Sequence, residues 1–228
     1  MERIGVIIPA YNEEKSIAKV LNDIPLQLVY EIVVVNNNSK DGTAEMAKKS
    51  GATVLNESKQ GYGAACLKGI EYFKNKIDQP DLIIFMDADY SDYPEELEKL
   101  IQPIIDKKAD MVIGSRALGN RQRGSMTIPQ IFGNWLATRL IYLFYKVKFT
   151  DLGPFRAIKW EALLQLNMLD ETYGWTVEMQ VKAAKNKLIS VEIPVNYRTR
   201  IGVSKVSGTV KGTILAGYKI IFTIFKYI

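Results

Sequence analysis

Apolar and polar positions follow one another in blocks along the first half of the chain. Ile4-Gly5-Val6-Ile7-Ile8 is a short apolar run closed by Pro9, which predicts a buried first strand. A helix is predicted to start at Asn12, with Glu13 and Glu14 in its first turn, where carboxylates suit the positive end of the helix dipole. Glu31-Ile32-Val33-Val34-Val35 is β-branched through its centre and predicts a second strand. The polar stretch from Asn36 to Thr43 then caps a helix running to about Ser50. Ala52 to Leu55 is a weaker third strand, and Gly61-Tyr62-Gly63-Ala64-Ala65 opens a helix of roughly fifteen residues. Leu82-Ile83-Ile84-Phe85-Met86 is a strand buried on both faces that runs straight into Asp87-Ala88-Asp89. Asp92-Tyr93-Pro94-Glu95-Glu96 starts another helix, and Met111-Val112-Ile113-Gly114 is a fifth strand.

Strands alternating with helices predict an α/β fold built on a doubly wound, mostly parallel sheet with helices on both faces. No internal repeat, low-complexity tract or flexible linker interrupts the pattern, so one domain is expected over residues 1–228. In such sheets ligands bind beyond the carboxyl ends of the strands. Three polar segments fall there: Pro9 to Glu13, Asn36 to Ser39, and Asp87 to Asp89.

The pattern changes after Arg116. A basic, glycine-bearing loop, Gly119 to Ser125, leads into an apolar stretch of 22 residues from Ile128 to Phe149. That length suits a bilayer, but Arg139 near its centre costs about 2.5–3.5 kcal/mol on insertion scales. Pro129 and Gly133 also weaken a continuous span. A helix or helix pair lying on a membrane surface, or packed on the sheet, fits better. The carboxyl end, Thr209 to Ile228, carries Lys211, Lys219 and Lys226 within one helical face about 80° wide, at ~100° per residue. Ile214, Leu215, Tyr218, Ile221, Phe222 and Phe225 occupy the other faces. This reads either as an interfacial amphipathic helix or as a helix docked on the protein's own core.

Charge sharpens the division. Residues 1–106 carry 11 Lys and Arg against 18 Asp and Glu, whereas residues 107–228 carry 19 against 7. The basic second part points to an anionic partner, either nucleic acid or an anionic membrane surface. Nucleic acid is disfavoured, because the aromatics sit in apolar helical runs rather than among Lys and Arg on a polar surface. The single cysteine, Cys66, excludes an internal disulfide and fits a reducing compartment. Met1-Glu2-Arg3 leads directly into a strand-like run, so no signal peptide is expected. Histidine is absent, which removes the commonest general base and most zinc sites.

Asp87 and Asp89 repel each other at a strand end unless a positive group lies beside them. A divalent cation carrying a diphosphate is one answer; a solvated acidic turn is the other. The Gly61-x-Gly63 pair lacks the third glycine of a dinucleotide fingerprint. It serves either a tight helix start or close approach of backbone to a phosphate.

Together, Ile8-Pro9-Ala10-Tyr11-Asn12-Glu13, Val35-Asn36-Asn37-Asn38-Ser39, Asp41-Gly42-Thr43, Asp87-Ala88-Asp89 and Gly114-Ser115-Arg116 resemble family 2 glycosyltransferases of the GT-A fold. Asp151-Leu152-Gly153-Pro154-Phe155-Arg156 and Arg200-Ile201-Gly202-Val203-Ser204-Lys205 resemble segments of the polyprenyl-phosphate branch, which includes dolichol-phosphate mannose synthase. The resemblance covers roughly residues 4–210. It implies a nucleotide-sugar half over 1–115 and an acceptor- and membrane-facing half over 116–228. It also implies an inverting transfer from a nucleotide-diphosphate sugar to a polyprenyl phosphate at the cytoplasmic membrane face, with Mg²⁺ or Mn²⁺ as cofactor.

The resemblance assigns Pro9, Tyr11 and Glu13 to the donor nucleotide, with Asn36, Asn37, Gly61, Gly63 and Ala88 along the same crevice. Asp87 would contact ribose or phosphate and assist Asp89, the expected metal ligand. Arg116 would face the acceptor phosphate, and Arg200, Ser204 and Lys205 would close over the reacting phosphates. Asp151 and Arg156 fall in the branch's acceptor-side segment, with a structural ion pair as the other reading of Asp151. Glu178 stands where related enzymes carry an acceptor-side acid; it reads as a base, as an orienter of Arg156 or another cation, or as a surface helix pair. Two departures stand out. The family usually has acids where this chain has Asn36 and Asn37, and Ser91 stands where the branch often has a metal-contacting glutamine. Two other readings remain: transfer to a hydroxyl of a soluble or glycan acceptor, and a silent nucleotide-sugar-binding protein.

Overall fold

The computed structural model describes residues 2–202 and 210–228. Its centre is a seven-stranded sheet formed by β1 (Ile4–Ala10), β2 (Glu31–Asn36), β3 (Thr53–Asn56), β4 (Leu82–Phe85), β5 (Met111–Ser115), β6 (Arg156–Lys159) and β7 (Ser190–Pro194). The spatial order is β3-β2-β1-β4-β6-β5-β7. β6 runs antiparallel to both β4 and β5, and the remaining neighbours pair in parallel. β6, from the acceptor-side half expected over 116–228, therefore lies between two strands of the 1–115 half, and both halves share one sheet.

β1 extends through Pro9 to Ala10, two residues past the predicted end. Proline is tolerated because of register. Ala10 turns its carbonyl toward β2, where it accepts from Asn37 N, and Ile7 turns its carbonyl toward β4, where it accepts from Met86 N. Pro9 shares the orientation of Ile7, but β4 ends at Phe85 opposite Ile7, so its missing N–H faces no ladder partner.

The strand period of two sorts the core into two layers. Ile7, Val33, Val35, Phe85 and Ile113 point to one face, where they meet α3 (Tyr62–Lys74), α5 (Ile128–Tyr145), α6 (Trp160–Leu166) and α7 (Trp175–Lys185). Val6, Ile8, Val34, Ile84 and Val112 point to the other, against α1 (Ile17–Asp23), α2 (Thr43–Lys49) and α4 (Leu97–Ile105). Helix α1 starts at Ile17 rather than Asn12. Asn12 takes a left-handed φ of 55°, and the Glu13 carbonyl receives Ser16 N and Ile17 N instead of opening a helix there.

The 128–149 stretch forms the single helix α5. Thr127 and Gln130 make a capping box, Pro129 stands in the first turn, and Lys146 closes it in the left-handed conformation. Helix α8 (Val210–Lys226) packs beside it, with the Phe144 and Phe225 rings edge to face at 5.2 Å. Lys219 turns inward to Asp170 at 3.0 Å, and just past the helix Tyr227 Oη donates to Glu178 at 2.6 Å. The Lys-faced outer surface expected for this helix is thus corrected at Lys219: Thr223 and Ile224 are buried, while Leu215, Tyr218, Ile221, Phe222 and Phe225 are exposed. Lys211 and Ile214 lie outside the described side chains. On α5 the outward residues Ile128, Ile131, Phe132, Trp135, Tyr142 and Leu143 are exposed as well. Among the described residues no helix is long and apolar enough to cross a membrane.

Candidate active site

The carboxyl ends of β1, β2, β4 and β5 open into one cavity of about 720 Å³. The parallel arrangement of β1, β2 and β4 puts Pro9, Tyr11 and Glu13, then Asn37, then Asp87, Ala88 and Asp89 on its walls. Gly61 joins from the start of α3, Arg116 from the end of β5, and Arg200 from the segment after β7. The far end of the cavity lies between α5 and α8, where Gly133, Gly217 and Ile220 line it. Ten of the sequence-derived site residues meet here, drawn from segments between Pro9 and Arg200.

The carboxylates are unequal. Asp89 is 4% exposed; its Oδ1 accepts from Ser91 N (2.9 Å) and Ser91 Oγ (2.5 Å), and its Oδ2 pairs with Arg200 Nη2 at 2.7 Å. Burial lowers the Arg200 pKa, but Asp89, Tyr197 and Asp87 together outweigh it and raise the guanidinium above its ordinary value. Asp87 is pushed up to about 7, first by burial and then by the charge of Asp89. Asp92, three residues beyond Asp89, is pushed well above the carboxylate range by burial and by the charges of Asp87 and Asp89. Asp87 Oδ1 and Asp92 Oδ1 are both buried without a hydrogen-bond partner among the described residues.

Two such orphaned carboxylate oxygens beside a third acid are a costly arrangement for an empty site. They fit a hard divalent cation such as Mg²⁺ or Mn²⁺, which prefers oxygen donors. No group of three or more His, Cys, Asp or Glu among the described residues forms a ready-made cage. An ion held here would complete its shell with oxygens of a bound ligand, as Mg²⁺ does on substrate phosphates.

Arg116 stands at the cavity wall in a fixed pose. Its Nε and Nη2 donate to the two Asp151 oxygens at 2.8 and 2.7 Å, and its backbone N donates to Asp151 Oδ2 at 2.7 Å. Burial pushes the Asp151 carboxyl up, but the Arg116 charge and hydrogen bonds outweigh it and hold the carboxyl below its ordinary value. Asp151 is therefore the structural ion-pair partner of Arg116 and does not line the cavity.

Other expected contacts are corrected by the structure. Arg156 is fully buried away from the cavity, and its guanidinium donates to the carbonyls of Gly153, Leu152 and Thr176. Burial lowers its pKa to about 10. Glu178 is fully buried, so it is not a surface helix pair; it does not touch Arg156 but orients another cation, Lys182. It receives Leu169 N, Asp170 N and Tyr227 Oη and pairs with Lys182 at 2.8 Å. Asn36 is spent on Asn56 and on Ser39 N. Gly63 meets protein rather than a donor phosphate: a Cβ there would lie 1.9 Å from the Asp170 carbonyl oxygen. Gly61 lines the cavity, yet a Cβ there would also collide, at 2.1 Å from the Glu171 carbonyl oxygen. Ser204 and Lys205 lie outside the described residues.

Sequence reasoning missed Asp92, although its spacing after Asp87 and Asp89 was a usable signal. It also missed Arg198, whose guanidinium carbon stacks over the Tyr90 ring at 3.4 Å and the Tyr93 ring at 4.2 Å. Arg198 donates to the carbonyls of Tyr90 and Asp92, while Ile201 N donates to the Asp89 carbonyl. These bonds lay the Arg200 segment along the acidic turn. Nothing in the local pattern around Arg198 distinguished it.

Known proteins share both this architecture and this sequence. Residues 5–165 match the model for glycosyl transferase family 2. An uncharacterized glycosyltransferase of Mycobacterium bovis is 35% identical over 219 residues, covering 94% of each chain. A UDP-N-acetylglucosamine–dolichyl-phosphate N-acetylglucosaminyltransferase of Methanococcus voltae is 28% identical over 241 residues, covering 96% of this chain and 93% of its own. Among solved structures, glucosyl-3-phosphoglycerate synthase from Mycobacterium tuberculosis, in complex with phosphoglyceric acid, superposes with a TM-score of 0.75 at 20% identity. That match covers 99% of this chain and 80% of the other, and it establishes the GT-A-like fold. With the strand ends, the acidic turn and the family match all in agreement, this chain belongs to glycosyl transferase family 2.

Proposed function

We propose that the chain transfers a hexosyl group, with inversion, from a nucleotide-diphosphate sugar to a polyprenyl-type lipid phosphate at the inner surface of the cell membrane. The observation that carries this reading is the continuity of one cavity from Asp89 and Arg200 to the gap between α5 and α8, whose outer side chains are apolar and exposed. A phosphate acceptor can sit at the basic end while its hydrocarbon leaves along apolar helices. The Methanococcus voltae relative, named for a dolichyl-phosphate acceptor, supports the same class.

In this reading Pro9, Tyr11, Glu13 and Asp87 receive the nucleotide, with Tyr11 offering a stacking face to the base. Asp89, with Asp87 beside it, would hold the divalent ion, and the ion would supply positive charge to the leaving diphosphate. Crystal structures of glucosyl-3-phosphoglycerate synthase contain Mn²⁺ with uridine diphosphate or UDP-glucose, which supports both components. Asp89 is ion-paired to Arg200 in this structure, so Arg200 would turn from the carboxylate to the diphosphate as the donor arrives. Lys205 and Ser204 would close over the same phosphates. Arg116, held rigid by Asp151, presents a preorganised positive charge to the acceptor phosphate.

An acceptor phosphate oxygen forms the new bond to the sugar's anomeric carbon as the bond from that carbon to the diphosphate oxygen breaks. Both electron pairs move without a proton transfer, because a phosphate nucleophile is already anionic. A histidine-free chain suits that chemistry, whereas an alcohol acceptor needs a general base.

A panel of labelled nucleotide sugars incubated with membrane lipid extract tests the proposal. The expected product is mild-acid-labile label in the organic phase. Label confined to a water-soluble product would replace the lipid phosphate with a soluble acceptor, and donor binding without turnover would leave only a silent binding protein.

A further inference from the structure

We propose that Asn37 is a positioning residue for the donor: it does not read the base but fixes the Glu57–Gly61 strap that forms the nucleotide-side wall of the cavity. This rests on the donor side of the reading above. Asn37 lies at the end of β2, is 5% exposed, and every polar atom of its side chain is engaged by that strap. Its Nδ2 donates to the carbonyls of Glu57 (3.2 Å) and Lys59 (2.7 Å), and its Oδ1 accepts from Gly61 N (2.8 Å). Its own backbone N is tied to the Ala10 carbonyl at the end of β1. One amide thus pins three points of a strap whose Gln60 and Gly61 line the cavity.

Among the described residues the strap has no other side-chain hold of this kind on the donor half. Other bonds run from Glu57 N to the Asn36 carbonyl, from Lys59 N back to Glu57 Oε1 within the strap, and from Lys59 Nζ to Glu171 at 2.5 Å in the turn before α7. Asn37 sets the distance between that turn and the β1–β2 ends, and with it the width of the nucleotide slot.

The geometry also explains why an amide stands here. A carboxylate could still accept from Gly61 N, but it has no hydrogen to offer two carbonyl oxygens and would face them with negative charge. Asn is the residue type of this size that accepts once and donates twice.

Asn37→Asp and Asn37→Ala test the assignment, read by donor KM, kcat and acceptor KM, with calorimetry on uridine and guanosine diphosphates plus Mn²⁺. Loss of two donated hydrogen bonds is expected to raise donor KM about tenfold to a hundredfold. The kcat at saturating donor and the acceptor KM should change far less. In Asn37→Asp, acidification should recover part of the donor affinity, because the protonated carboxyl can donate one of the two lost bonds. Asn37→Ala should show no such recovery. Faster amide exchange at Gly61 in both variants would report release of the strap in the free protein, independent of turnover. Unchanged donor KM, a fall confined to kcat, or identical pH behaviour of the two variants would overturn the assignment. If the unsubstituted chain binds no nucleoside diphosphate, the donor-site reading itself is overturned and this inference falls with it.

Discussion

Replacing Asp151 by Asn keeps the shape of the side chain and removes the charge that Arg116 was built to meet. Asp151 is 1% exposed and accepts three hydrogen bonds from Arg116, from the backbone N, Nε and Nη2. The Arg116 side chain is 11% exposed, so water can replace little of what is lost. Leaving one member of a buried pair unmatched costs about 3–5 kcal/mol, and Asn, which still accepts one bond, should fall near the lower end. Against a total stability of about 5–15 kcal/mol this is a large fraction. For a chain of this size roughly 3 kcal/mol lowers Tm by about 6–12 °C.

The pH dependence has a fixed sign. Arg116 holds the Asp151 carboxyl below its ordinary value of 3.8 in the folded state, so the stabilisation is full above that value. It fades as pH falls through the depressed folded value, and the gap between wild type and Asp151→Asn should narrow there. Thermal and urea melts from pH 7 down to the acid limit measure this. A matched apolar pair, Arg116→Met with Asp151→Leu, should recover much of the stability while losing transferase activity, since only the charge is missing. A Tm loss below about 2 °C for Asp151→Asn at pH 7 would refute the pair as the anchor of Arg116.

Other expectations follow from the same geometry. Asp89→Ala should abolish metal-dependent turnover, measured as nucleoside diphosphate release with and without Mn²⁺; full retained activity would remove Asp89 from the metal site. Gly63→Ala forces a Cβ to within 1.9 Å of a backbone oxygen, so the start of α3 must shift at a cost of about 1–3 kcal/mol, seen as a lower melting temperature. Phe222→Glu with Phe225→Glu alters two half-exposed rings, and losing their contacts with Tyr218 and Phe144 should cost about 0.5–1.5 kcal/mol per site. Co-sedimentation with anionic liposomes should nevertheless fall sharply if that face meets a membrane.

The strands most legible in the sequence were those with a buried apolar centre, while β3, half-buried at the sheet edge, gave only a weaker signal. β1, β2, β4 and β5 each have a continuous apolar run, and the run survives any sheet order. β6 and β7 carry no such signal. β6 opens with the buried Arg156, whose charge is met by carbonyls of the turn just before it and by Thr176 in α7, and β7 alternates Ser, Val, Glu and Ile at partial burial. Neither local pattern nor charge reveals that β6 enters antiparallel between β4 and β5, because that depends on where the 150s loop returns the chain.

The site was legible wherever it depends on strand ends, since a parallel sheet places Tyr11, Asn37 and Asp87 together by topology. It was not legible where a residue's partner is remote. Asp151 meets Arg116 across 35 residues, and Glu178 is consumed by Tyr227 and Lys182. On α8 the lysine spacing predicted one outer face, but Lys219 pairs with Asp170 and turns inward.

The central claim is that one cavity joins a nucleotide-sugar donor to a lipid phosphate. Purified chain, the nucleotide sugar selected by the panel, Mn²⁺ and a purified polyprenyl phosphate in liposomes are sufficient to test it. The account predicts one labelled sugar in the lipid phase for each nucleoside diphosphate released, and no transfer to the corresponding polyprenol. Equal transfer to the alcohol, or nucleoside diphosphate release with no label in the lipid, would contradict it.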